Sequence, residues 1–290
     1  MSSESPPPPA SEHTSAAAEE VIRIEPRTRL SLGLKELWGY REMIGFLLVR
    51  QVKIDYRQMA LGPLWMIIRP AAMALVYTLI FGLIAKLPAE GELPYPLFNY
   101  SAVVVWTYFT EIVKSSSTSI VSFKALMEKI YFPRLCVPLV FFGTSTINFL
   151  VTLLILFPMM IHYAWPIGPA LLLLPVYILL TGMLALGIGL WCAPWVVHYR
   201  DVGHALDFVL LGWMYLTPIV YKLQMVPEGY RLLYRLNPMT NIIQGFRWSL
   251  LGVGDPPGLM LLYSFAVAVI LLFTGALMFR RAERSIVDIA

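Results

Sequence analysis

Charge is what this sequence has least of. Only 14% of its 290 residues are Asp, Glu, Lys or Arg, and 58% are hydrophobic, whereas a soluble domain carries about 25% charged residues. Mean hydropathy is +0.68. A soluble core of this length cannot hide so much apolar surface; the hydrocarbon of a bilayer can. Cysteine is nearly absent. Cys136 and Cys192 stand alone, with no CxxC and no Cys/His cluster, so neither a zinc site nor a disulfide framework is indicated. Catalytic motifs are missing too: no G-x-x-x-x-G-K-[ST] phosphate loop, no H-E-x-x-H, no G-x-S-x-G. His13, His162, His198 and His204 are scattered. These absences argue against an enzyme and against a resident metal or cofactor. No secretory leader is expected. Residues 1–30 form a tail rich in Ser, Pro, Glu and Ala, including Pro6 to Pro9, which reads as disordered. It lacks a basic stretch followed by an apolar one, so the spans themselves must direct insertion.

What is present is a series of long apolar runs with short breaks, predicting one all-α integral membrane domain over 31–290. Residues 31–61 interleave apolar Leu37, Trp38, Ile44, Leu47, Leu48 and Ile54 with Lys35, Arg41, Arg50, Lys53 and Arg57. The spacing is helical and the charges forbid crossing. We expect an amphipathic helix in the membrane interface, bent near Gly39 or Gly45; a cytosolic helix packed on a partner is the alternative. Six spans follow, at 64–85, 97–116, 135–161, 169–196, 204–221 and 259–279. The first, at 1.5 Å rise per residue, reaches about 33 Å, enough for the hydrocarbon. Between the second and third lies a short amphipathic helix ending at Pro133. Spans three and four are joined tightly enough to form an antiparallel hairpin. Gly182, Gly187 and Gly189 in span four predict close helix packing. Residues 222–250 are mixed and fit two short helices broken at Asn237-Pro238 better than one crossing.

The net charge of +4 raises the question of nucleic acid. The cations lie between the apolar runs, however, so they read as topology signals and not as a nucleic-acid footprint. Of the 22 Lys and Arg, sixteen fall in 1–61, 114–134, 198–203 and 280–290, five fall on the opposite side (Lys86, Lys222, Arg231, Arg235, Arg247), and Arg69 lies within span one. The excess places both termini in the cytoplasm and requires an even number of crossings. Ion-coupled transport leaves ionisable groups inside spans. Arg69 and Asp207 lie close enough to span ends to snorkel. Glu111 sits deepest, with Lys114 one turn away as its expected partner.

Four segments carry a family resemblance. Arg57-Gln58-Met59-Ala60-Leu61-Gly62-Pro63-Leu64-Trp65 resembles the "YR-x-S-x-LG-x-LW" signature that opens the first span in permease subunits of type-2 ABC exporters for polysaccharides. Glu128 to Arg134, reading EKIYFPR, resembles their loop between spans two and three. Tyr199-Arg200-Asp201-Val202 resembles their "RD" element. Leu216 to Tyr221, Val226-Pro227 and Leu236 to Thr240 resemble their "SP-x-x-Y…P…NP-x-T" run. The order is right over nearly all of 30–290, and the likeness is greatest to the O-antigen and teichoic-acid exporter branch. The tail is outside the pattern.

The resemblance implies a homodimeric permease in a bacterial cytoplasmic membrane, paired with two copies of a cytoplasmic ATPase that holds ATP and Mg²⁺. The substrate would be a polysaccharide on a polyprenyl-pyrophosphate lipid. Phe123, Glu128, Lys129 and Tyr131 would belong to the helix that docks on the ATPase, with Tyr199, Arg200 and Asp201 contributing. Residues 222–250 would be re-entrant gate helices on the outer side. Aromatic rings bind the C–H faces of sugars, which makes Tyr77, Trp106, Tyr108, Phe109, Trp213, Tyr215 and Tyr221 candidates for a glycan path; lipid-facing or interfacial aromatics are the alternative. Arg50, Lys53, Arg57 and Arg69 are candidates for the pyrophosphate, against contacts with anionic membrane lipids. An ABC exporter for another amphiphile, or a secondary transporter, remains the competing function.

Overall fold

The computed structural model of the chain describes residues 34–57, 61–130, 132–199 and 201–286. Among these the structure is helical without strands. Two helices, α1 (Leu34–Gly39) and α2 (Arg41–Arg57), precede the first long apolar element. The break between them falls at Gly39 and Tyr40, one of the two expected bends; α2 runs through Gly45 unbroken. Among the described residues, four elements are long and apolar enough to cross a bilayer: Trp65–Ile84, Cys136–His162, Pro169–His198 and Leu259–Ala282.

The first of these is α3 (Trp65–Tyr77), continued by a π-helical stretch Thr78–Ile84. Pro70 lies inside α3 and has no N–H to give the Met66 carbonyl. Thr152 Oγ1 on the neighbouring helix lies 3.2 Å from that carbonyl and shares its proton between it and Asn148 O at 2.9 Å. Where α gives way to π, Asn99 Nδ2 donates to Ala74 O at 2.9 Å. Both irregularities are satisfied by packed neighbours, as a hydrocarbon environment requires.

Then come α4 (Tyr95–Ser117), the single-turn α5 (Ser119–Ser122) and α6 (Lys124–Met127), and α7 (Cys136–Leu153) with its continuation α8 (Leu156–His162). Helix α9 (Leu174–His198) follows a short 3₁₀ turn, and α10 (Asp201–Tyr215) ends six residues before the expected boundary at 221. Two shorter helices, α11 (Glu228–Leu236) and α12 (Pro238–Leu251), meet at Asn237, and α13 (Leu259–Ile286) closes the fold. Helix α4 is the hub. It packs on α3, α7, α9, α10 and α12, and its face from Leu97 to Val105 is buried throughout. Helix α9 lies between α4 and α13.

Lipid tails are as apolar as the side chains, so helices in a bilayer associate by close approach. A Cβ placed on Gly187 of α9 would lie 2.6 Å from the Leu272 backbone nitrogen of α13, and one on Gly275 of α13 would lie 2.5 Å from Gly187 O. Gly189 likewise admits Ser116 of α4. The glycines of span four therefore do what their spacing predicts. Gly187→Val must push two backbones apart, at a cost of about 1–3 kcal/mol or more. Thermal unfolding in detergent should show a clear drop for Gly187→Val and none for Gly203→Ala, where an added Cβ meets nothing within 4 Å.

Candidate functional site

At one end of the bundle, α1, α2 and the 119–137 segment share a small core of their own. Leu47, Phe123, Phe132, Cys136, Val137 and Val140 form its centre. Leu48 fits against Gly143, where a larger side chain would collide. Phe123 is buried, edge-on to Phe141 at 5.6 Å; it anchors the segment. The exposed part is Lys124, Ala125 and the turn Glu128, Lys129 and Ile130. Tyr131 and Arg200 lie outside the described residues. Tyr199 and Asp201 are exposed, with the Tyr199 ring stacked near Trp195 at 6.4 Å.

The four predicted phosphate cations divide between two adjoining concavities. Arg50, Lys53 and Arg57 project from α2 at helical spacing and line a groove of about 400 Å³, with Phe46, Val49 and Ile54 as its apolar part. Ile54 also lines a cavity of about 510 Å³ bounded by α2, α3, α4 and α7. Arg69 faces that cavity, its guanidinium 5.9 Å from the centre of the Trp65 ring. Asn148 Nδ2 donates to Glu111 Oε1 at 2.6 Å. Asp55 accepts from Gln51 Nε2 at 2.7 Å. Burial pushes the Asp55 carboxyl above its ordinary value, and the Gln51 bond partly offsets this.

Lys114 does not pair with Glu111. Three residues apart on a helix, the two side chains leave α4 about 60° apart. Lys114 Nζ reaches Asp207 of α10 at 2.6 Å, while Glu111 turns to α7. The cavity thus has a carboxylate with an amide and a hydroxyl from α7, an aromatic wall, and a cation toward its rim.

The aromatic candidates do not form one surface. Trp106, Phe109 and Trp213 form one cluster, with ring centres 5.2–6.3 Å apart. Buried Tyr77 donates to Met214 Sδ at 3.4 Å. Tyr108 points elsewhere, into the cavity beside α2, packed on Phe149 at 4.5 Å with its hydroxyl on Thr146. Tyr215 is exposed, and its carbonyl accepts from Tyr221.

At the end of the bundle opposite α2, the chain leaves α10 and runs non-helically through buried Thr217 to Val220. Such backbone needs partners. Arg247 of α12 supplies most of them and is 1% exposed. It donates to Pro218 O at 3.0 Å, Ile219 O at 2.6 Å and Phe98 O at 3.1 Å, and lies 3.6 Å from the centre of the Phe98 ring. Tyr95 takes Val220 O at 2.7 Å. Asn237 caps α12 through Met239 N, accepts from Trp213 Nε1 and donates to Thr217 Oγ1. Sequence reasoning counted Arg247 only as a topology charge and passed over Asn148. Both are marked by helical neighbours: apolar Ile243, Leu250 and Leu251 around Arg247, and polar Ser145 and Thr152 around Asn148.

Comparison with known proteins finds relatives of this chain. The family described as ABC-2 type transporter matches residues 42–251. An O-antigen export system permease protein, RfbA, of Myxococcus xanthus is 27% identical over 255 residues, covering 86% of this chain and 96% of that protein. A protein of the same name from Klebsiella pneumoniae is 25% identical over 75% of this chain and 84% of its own length. The inner membrane transport permease YadH of Escherichia coli is 32% identical over 93 residues, about a third of each chain.

Proposed function

The chain belongs to the ABC-2 type transporter family, and from that premise we propose that it exports a lipid-linked polysaccharide of O-antigen type, driven by a separate ATPase. It is a multi-pass membrane permease subunit. The observation that carries the substrate class is the cationic groove of Arg50, Lys53 and Arg57 opening beside the polar cavity at Arg69. A lipid-anchored pyrophosphate needs cations at headgroup depth, and Arg offers bidentate contacts to it. A sugar next to that pyrophosphate needs polar groups with an aromatic surface.

In this reading the α2 end faces the cytoplasm, with both termini, in a bacterial inner membrane. Two copies of the chain pair with two ATPase subunits, where ATP and Mg²⁺ are held. The six crossings are α3 with its π-helical end, α4, α7 with α8, α9, α10 with the stretch after it, and α13. Helices α11 and α12 enter and return on the outer side. The turn at Glu128 and Lys129 is the docking face, held to α2 through Phe123, so displacement of the turn reaches the cationic groove through one small core. Tyr199 and Asp201 extend that face. Trp106, Phe109 and Trp213, with Tyr77, Tyr215 and Tyr221, are assigned to the glycan path.

Co-purification with a Walker-motif subunit, followed by ATP-dependent movement of a lipid-linked glycan in proteoliposomes, tests the reading. Glu128→Arg combined with Lys129→Glu reverses the exposed charges without touching the Phe123 core. ATP hydrolysis should persist in that variant while transport per ATP falls at least about tenfold, since like charges facing each other cost several kcal/mol at an interface. Unchanged coupling would remove the docking assignment, and absence of any ATPase partner would remove the exporter.

A further inference from the structure

We propose that the cavity between α2, α3, α4 and α7 is a monosaccharide site that reads the sugar attached directly to the lipid pyrophosphate. The proposal rests on the lipid-linked export reading and adds to it a place where sugar identity is recognised. The argument begins with Glu111. A carboxylate at this depth of a membrane protein is costly and marks function. Its i+3 neighbour Lys114 is engaged by Asp207, so Glu111 is not simply half of an ion pair. Instead it accepts from Asn148 of α7.

A carboxylate accepts hydrogen bonds only, and an amide both donates and accepts. Such a pair suits vicinal hydroxyls. Trp65, which also lines the cavity and is partly exposed, offers a face for C–H contacts. Glu111 and Asp55 disfavour a phosphate beside them, Lys114 in the same lining is neutralised by Asp207, and the cations left to draw a phosphate are Arg69 and the adjoining Arg50, Lys53 and Arg57. Cations and hydroxyl acceptors therefore adjoin one another. The complementary ligand is a phosphate ester with a polyhydroxyl ring next to it. At about 510 Å³ the cavity is in the range of small-molecule sites, roughly 300–1,000 Å³.

Two sources share this chemistry: a glycosylated polyprenyl pyrophosphate and an anionic phospholipid with a polyol head. The purified full-length protein, with its ATPase, can be titrated by native mass spectrometry against three probes: a polyprenyl pyrophosphate carrying one N-acetylhexosamine, the bare polyprenyl pyrophosphate, and phosphatidylglycerol. Wild type should prefer the glycosylated probe over the bare one by about tenfold or more, the weight of one hydrogen bond to a charged group at its lower bound. Glu111→Gln is isosteric and should lose that preference. Trp65→Leu, at a half-exposed position, should reduce it without burdening the fold. Equal binding of the glycosylated and bare lipids by wild type, or a retained preference in Glu111→Gln, overturns the sugar site and leaves the exporter reading standing. Phosphatidylglycerol competing as well as the glycosylated probe makes the cavity a phospholipid headgroup site and overturns it too. Binding of neither pyrophosphate probe refutes the export reading itself, and the sugar site with it.

Discussion

Arg247→Leu should yield almost no monodisperse protein. Burying a guanidinium is costly, and exchanging a buried ion pair for apolar residues is often neutral. That compensation is closed here, because the partners of Arg247 are the main-chain carbonyls of Phe98, Pro218 and Ile219. No substitution removes them. Once the guanidinium is gone, the Phe98 carbonyl keeps Ser101 Oγ as a donor, but those of Pro218 and Ile219 each forfeit a hydrogen bond at about 1–3 kcal/mol. The summed loss is about 2–6 kcal/mol, against a total stability of about 5–15 kcal/mol for a domain. Arg247→Lys keeps the charge, but an ammonium is a point donor and lacks the planar fork that reaches three carbonyls at once. It should fold and melt lower than wild type. Size-exclusion profiles and thermal unfolding in detergent check both variants. An Arg247→Leu protein melting within a few degrees of wild type would mean that water reaches those carbonyls.

Arg247 also shows where sequence reading stops. As one of five cations assigned to the outer side, it looks like a topology signal. Its burial depends on a non-helical stretch at 217–220 that packs against α12 from far away in sequence. The spacing of apolar neighbours at 243, 250 and 251 hints at a buried position, but only tertiary structure supplies the carbonyls. Helix α4 carries a related lesson. Asn99, Ser101, Glu111 and Lys114 lower its hydropathy, and it is absent from the four helices that qualify as spans by length and apolarity. Yet most of it is buried, because its neighbours are other helices and lipid need not be its solvent. Hydropathy measures fitness for lipid and is a weaker guide to hub helices. The glycines of α9 were legible because backbone approach in a bilayer has few other solutions. The break at Asn237-Pro238 was legible because Pro at the first helical position and Asn before it form a cap, and Asn237 does accept from Met239 N. Which cations share a groove was not, since Arg57 and Arg69 are separated by a turn whose path local spacing does not fix.

Neutralising the groove should have the largest effect on substrate capture. The triple variant Arg50→Gln, Lys53→Gln, Arg57→Gln keeps the length of all three side chains and the helical propensity of α2. These residues are exposed and line the groove without belonging to the small core at Leu47 and Phe123, so the fold should survive. A pyrophosphate held by three cations gains about 1.5–3 kcal/mol from each charge-assisted hydrogen bond in a favourable setting. Solvent exposure of the groove discounts this. Two contacts at the lower bound still amount to about 3 kcal/mol, or roughly a hundredfold in affinity. Binding of bare polyprenyl pyrophosphate should fall by that factor. The affinity of wild type should also decline with added salt, as exposed charges are screened over about 8–10 Å at physiological ionic strength, and the variant should lose most of that salt dependence. The two measurements separate phosphate binding from a general attraction to anionic lipid. If the cations serve topology and headgroups alone, the variant will bind the pyrophosphate as wild type does, while its partitioning into anionic vesicles weakens. If they hold the substrate, affinity and salt slope fall together, and restoring Arg57 alone should recover part of both.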